Sequence, residues 1–222
     1  MLRCDPCITP GNFSDTRVSD ESGLFSLTGR TGKFLSVQVT KDGYYTSQTE
    51  NRTGFEYAAF FDPTYYQPDP NNPVIFHLRK KGRPAPLASR DGSFVMTFVA
   101  PWAIPMPPEA GTASPINVTV FENDLKTRTW KARISVDGGG VQPVSQEFPF
   151  EAPEDGYQAS IDLDETSPHP PGWQELGQGG WFYVETSEGY GLLKLEQMKG
   201  KKTLHYAVLV NTQGGRNLEP AQ

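Results

Sequence analysis

Cys4-Asp5-Pro6-Cys7 spaces two thiols as dithiol redox centres and half of a four-ligand zinc site do. A redox pair of that kind opens a helix in a βαβ unit, and no such pattern follows. Zinc needs two more ligands, but His77, His169 and His205 are scattered and there is no third cysteine. A local disulfide or two plain thiols is the reading these residues favour.

Carboxylates are the next chemical resource. Residues 134–193 form a 60-residue stretch with 11 acids and no Lys or Arg, which leaves 20 basic residues against 15 acids elsewhere. Such a stretch could gather Ca²⁺, meet a basic partner, or lie against the chain's own Lys199, Lys201 and Lys202; the last is expected. Asp162, Asp164 and Glu165 form its densest cluster, but they lack the spaced oxygens and glycine of an EF-hand loop, so no metal is expected. An acid pair for glycoside hydrolysis cannot be chosen without a distance between carboxyls. The chain has no G-x-S-x-G elbow and no HExxH, and each histidine reads as a structural or surface group. Neither an enzyme nor a cofactor is expected.

Aromatic rings offer binding rather than catalysis. Trp173 in Pro171-Gly172-Trp173, Trp102 in Ala100-Pro101-Trp102-Ala103, and Tyr65-Tyr66 stand in loop-like contexts where a ring could stack on a sugar or on a partner's apolar group. The competing reading, that these rings cap the ends of a sandwich, is the stronger for each. Trp130, on the inward face of a strand, reads as core.

The elements that must position these groups are β-strands. Glycine (22) and proline (20) make 42 of 222 residues, about 19% against a usual level of roughly 12%, which opposes long helices. Aromatic residues at 12% and hydrophobic residues at 36% still supply a core. Net charge is −6, which opposes binding to nucleic acid. The longest apolar stretch, Phe94 to Met106, is broken by Pro101 and Pro105 and is too short for a membrane span. The first seven residues lack the pattern of a secretory signal, so the chain is expected to begin as a mature form or a fragment would.

Alternation predicts strands over 34–39, with Leu35, Val37 and Val39 on one face, and over 74–79. The proline-rich residues 60–73 predict an ordered loop. A domain boundary is placed near residue 84, giving domains 1–84 and 85–222. Beyond it, Ile116, Val118 and Val120 face Ala132, Ile134 and Val136 in a hairpin, and Asp137-Gly138-Gly139-Gly140 reverses the chain. Tyr157, Ala159, Ile161 and Leu163 predict one face of a further strand. The last strands fall near 181–186, 190–196 and 203–210, and Gly172 to Gly180 predicts a mobile loop.

Residues 16–27, Thr16-Arg17-Val18-Ser19-Asp20-Glu21-Ser22-Gly23-Leu24-Phe25-Ser26-Leu27, with the strand 34–39 and Lys41-Asp42-Gly43-Tyr44, resemble the carboxypeptidase regulatory-like domain. The resemblance implies a transthyretin-like β-sandwich, an exported bacterial setting and an accessory role without peptide cleavage. It covers about a third of the chain. The family's opening Gly-x-Val and Gly-Ala-x-Val strands have no counterpart in residues 1–15, which implies a sandwich without its first strands. Residues 147–157 and 211–219 are similar to tails that follow this domain in bacterial proteins of unknown role.

Taken together, the sequence predicts an all-β chain of two sandwich-like domains. It predicts a non-enzymatic structural or protein-interaction module of an exported or cell-surface protein, with loops at the sandwich ends as contact surface. Its partner would be a protein or, as the alternative, a polysaccharide bound on exposed rings.

Overall fold

A computed structural model describes residues 13–28, 33–46, 54–56, 68–95, 101–124, 129–164, 177–198 and 203–221. Backbone contacts divide the chain into two compact units, Met1–Leu78 and Arg79–Gln222. The division falls before the boundary placed near 84. Residues 79–85 explain this, because they bond to the second unit: Arg79 Nη1 donates to Phe148 O at 3.1 Å, and Ala85 N donates to Glu219 O at 2.8 Å. Among the described residues about half are in strands and the helical element is the three-residue turn Pro108–Ala110, as the alternation and the Gly and Pro content predict.

In the first unit β1 (Phe34–Ser36) pairs antiparallel with β3 (Gly54–Glu56), and β2 (Tyr44–Thr46) follows the Lys41–Tyr44 turn. Gly43 sits at φ 74°, a value glycine adopts without steric cost, and Tyr44 N closes the turn on Lys41 O at 3.0 Å. Val74, Phe76 and Leu78 are half-buried and Ile75 and His77 between them exposed, as alternation requires, yet Arg79 is half-buried too and the strand itself, β4, begins only at Leu78 and ends at Lys80. Phe25 and Phe76 pack 6.2 Å apart.

The described residues of the second unit form nine strands in an antiparallel sandwich. Its strands are β5 (Leu87–Val95), β6 (Trp102–Ile104), β7 (Ile116–Asp124), β8 (Thr129–Val136), β9 (Gly140–Pro143), β10 (Ser160–Asp164), β11 (Gly177–Thr186), β12 (Gly189–Met198) and β13 (Thr203–Asn211). One sheet runs β10-β8-β7-β6 and the other β5-β13-β12-β11-β9. The predicted hairpin is β7–β8, with Val118 opposite Ile134 and Val120 opposite Ala132. Ile116, Val118, Ile134, Val184 and Leu193 are completely buried between the sheets. Each such side chain contributes about 1.5–3 kcal/mol of transfer free energy.

Three local expectations are corrected. Residues 177–180, assigned to a mobile loop, are the first four of β11, paired with Met198 through Leu195; a ladder is made by backbone groups and forms even where glycine supplies no side chain. The residues 172–176 lie outside the described residues. In the stretch predicted as a strand from Tyr157, Gln158 makes an isolated bridge to Val141 and the ladder with β8 starts only at Ser160; Ala159 is exposed, and only Ile161 and Leu163 pack on the main core. Leu87–Val95, which the alternation scan passed over, is a full strand whose nine residues all pair with β13.

The outer face of the five-stranded sheet is also covered. Val144, Ala152, Tyr183, Leu192 and Leu218 form a second buried cluster, contributed partly by segment 144–157 and by a C-terminal strap, residues 211–221. The strap is fixed by its backbone: Leu218 N donates to Phe150 O and Ala152 N to Arg216 O, both at 2.9 Å. Asn217 Nδ2 donates to Arg83 O at 2.8 Å, and Gly82 N donates to the Glu219 carboxylate.

Candidate binding site at the loop end of the second unit

Of the predicted ring platform, Trp102 is described and Trp173, Tyr65 and Tyr66 lie outside the described residues. Trp102 pairs with Val118 and Ile104 with Ile116, and directly opposed residues share a face, so the indole points toward the core side. It stacks on Phe94 with centroids 5.1 Å apart and planes 16° from parallel, and it remains 37% exposed at the rim. A more open ring, which sequence reading missed, is Phe121. Alternation from Ile116, Val118 and Val120 places it on the outward face, where it is 50% exposed beneath the Arg133 guanidinium, 5.2 Å from the ring centroid, and the bulge between Val120 and Glu122 brings Glu122, opposite Lys131, to the same face.

The predicted calcium cluster is spoken for in part. Asp162 takes a bidentate pair from Arg133, at 2.6 Å from Nε and 2.8 Å from Nη2, which holds its carboxyl below the ordinary range and raises the guanidinium. Asp164 stands opposite Lys131 in the register, and Glu165 lies outside the described residues. Among the described residues no three metal-ligating side chains converge. Cys4, Cys7, His169, Lys199, Lys201 and Lys202 also lie outside them, as does the side chain of Trp130. Within the acidic stretch, the described neutralising partners are Arg133 for Asp162 and Arg216 for Glu151, the latter at 3.8 Å.

At one end of the sandwich, three loops enclose a recess of about 340 Å³. They are the segment after the Pro108–Ala110 turn, the β11–β12 hairpin, and the start of the strap after β13. Ala110, Ala113 and Val210 belong to the lining and pack on the main core, which makes the inner wall apolar. Glu109, Glu188, Thr186 and Gln213 supply polar lining.

The walls are set by backbone constraints. Gly189 lies at φ 132° and Gly214 at φ 74°, and a Cβ on Gly189 would stand 2.2 Å from Gly214 Cα. Only glycine at both positions lets these two loops touch. Asn211, 7% exposed, organises the third loop: its Oδ1 accepts from Gln213 N at 2.9 Å, and its Nδ2 donates to Asn217 O at 2.8 Å. Thr112 Oγ1 ties the first loop to the second by donating to Glu188 Oε1 at 3.0 Å.

Beside the recess, on the strap-covered face, the rings of Tyr157 and Tyr190 lie 5.9 Å apart and Tyr190 Oη donates to Glu185 Oε1 at 3.2 Å. Burial pushes the Tyr183 hydroxyl up to about 12 and raises those of Tyr157 and Tyr190 as well. These groups remain neutral phenols over the physiological range.

Sequence reading missed the recess because its residues are far apart in the chain. The faint signal was glycine: Glu188-Gly189-Tyr190 and Gln213-Gly214-Gly215 each place glycine next to a predicted strand end. No family model matches the chain, and no curated protein or solved structure does either.

Proposed function

We propose that the chain is a non-enzymatic protein-interaction module of an exported or cell-surface protein, and that it contacts its partner through the loop end of its second unit. The observation that carries this reading is the recess: two loops locked by backbone contact at Gly189 and Gly214, and a third tied to them by the Thr112–Glu188 hydrogen bond, around an open concavity that the side chains of the described residues leave unfilled. Loops held on a rigid sandwich are the usual carriers of recognition. The resemblance of residues 16–80 to the carboxypeptidase regulatory-like domain supports the exported setting and the accessory role.

The test is selection of binders from a displayed random-peptide library on the full chain, repeated on Gln213→Trp. Gln213 is exposed, so a tryptophan there fills the mouth without entering the core. Peptides that bind the wild-type chain and lose at least tenfold in affinity on Gln213→Trp support the reading. Selected peptides indifferent to that substitution refute it.

A polysaccharide-binding module is the second reading, favoured by the open faces of Trp102 and Phe121. Affinity electrophoresis through soluble polysaccharides, with Trp102→Ala and Phe121→Ala alongside, checks it. Retardation lost in either variant supports it; uniform migration across the panel counts against it.

A further inference from the structure

We infer that the recess receives a single arginine or lysine side chain presented by a protein partner, an inference that rests on the interaction-module reading above. Two independent features select this ligand class. The inner wall of Ala110, Ala113 and Val210 is apolar and continuous with the main core, so it suits an aliphatic stem. The polar lining holds Glu109 and Glu188, and among the described residues it includes no Lys, Arg or His.

Neither of those carboxylates has a basic partner among the described residues. Glu122, Glu151, Asp162 and Glu196 each have a Lys or Arg nitrogen within 4 Å, at 3.2, 3.8, 2.6 and 3.0 Å; Asp91, Asp137 and Glu154 have none among the described residues either, and what sets Glu109 and Glu188 apart is that they line one recess. Glu188 has only the Thr112 hydroxyl on one oxygen, which leaves the other open.

Other ligand classes fit less well. Phosphate or carboxylate would meet two negative groups and no cation. A bare divalent ion would meet an apolar inner wall, and three converging ligands are not found among the described residues. A volume of about 340 Å³ is at the small end of ligand sites and holds one long side chain with its hydration. An organic cation on an aliphatic stem satisfies both walls at once. Because the hairpin and strap loops are locked by Gly189 and Gly214, the recess is formed before the partner arrives, so little ordering opposes binding.

The test titrates N-acetyl-arginine amide into the full isotope-labelled chain, followed by amide NMR. N-acetyl-citrulline amide, which keeps the shape and loses the charge, is the control. The expected result is saturable movement of the Thr112, Gly189 and Gly214 amides with the arginine probe. Affinity should fall at least tenfold in Glu109→Gln/Glu188→Gln and fall again as salt is raised. Both glutamates are exposed, and glutamine still accepts from Thr112, so the variant folds.

Equal movement with citrulline, equal affinity in the double variant, or no movement would overturn the inference. n-Propylguanidine, which keeps the single charge and the stem but lacks the flanking amides, separates sources: binding much tighter than that of the amide-flanked probe overturns the protein-borne assignment. Library peptides that depend on Gln213 but bind Glu109→Gln/Glu188→Gln undiminished overturn this inference alone and leave the interaction module standing. Peptides indifferent to Gln213→Trp remove that reading and this inference with it.

Discussion

The sheet β5-β13-β12-β11-β9 is closed on its two faces by different means. Inward, Val184, Leu193 and Val208 meet a second sheet, and the core is built from alternating strand residues on both sides. Outward, Tyr183 and Leu192 meet segment 144–157 and the strap, whose Leu218 is 1% exposed although it belongs to no strand. The same strands therefore carry one face stabilised mainly by apolar packing and one that depends on hydrogen bonds made by irregular backbone. The second kind of closure also reaches the candidate site, because Asn211 and Gly214 belong both to the strap and to the recess.

The sharpest way to separate the two faces is to hollow each one. Leu193→Ala, completely buried between sheets, should cost about 3–5 kcal/mol in urea unfolding, and Leu218→Ala about 2–3 kcal/mol because the strap can settle toward the gap. A larger loss for Leu218 would reverse the ranking and make the strap the main source of stability. Asn211→Ala removes one acceptor and one donor beneath the strap and should cost about 1–3 kcal/mol. Its amide exchange should quicken at 213–218 while β7 and β8 stay protected; quickening of all of them together would mean that the faces unfold as one.

Alkaline pH offers a third separation. Tyr157, Tyr183 and Tyr190 all lie on the strap-covered face with raised values. A raised pKa favours the folded state fully below the unfolded value, about 10, and that contribution is lost as pH rises through the folded value, about 12 for Tyr183. Tyrosinate absorbance should therefore rise late, accompanied by loss of strap protection before loss of the inter-sheet core. The smallest effect belongs to the outer face of the four-stranded sheet. Arg133→Met breaks the Asp162 pair at the surface and should leave the urea midpoint nearly unmoved at ordinary salt.

The inter-sheet core was legible because one period governs it. Ile116, Val118 and Val120 against Ala132, Ile134 and Val136 is an alternation readable without the fold. The strap face was not legible, since Ala152 and Leu218 are single apolar residues in polar, irregular stretches and their burial depends on contacts across more than sixty residues, such as Arg216 with Ala152. Phe121 was passed over although alternation puts it on the outward face: a lone aromatic at an outward position carries no periodic signal, and only the Arg133 guanidinium across the strand marks it. Trp102 stands out in the sequence as a ring in a loop-like context, but only the register with Val118 and the stack on Phe94 reveal how it is held.

The central claim is that partners meet the loop end of the second unit. Hydrogen exchange of the full chain, with and without the tightest peptide from the library selection, tests it most directly. The account predicts slowed exchange confined to 109–113, 186–190 and 211–214. Protection centred instead on 102–104 and 119–122, with the recess unchanged, would contradict it and move the contact surface to the exposed rings.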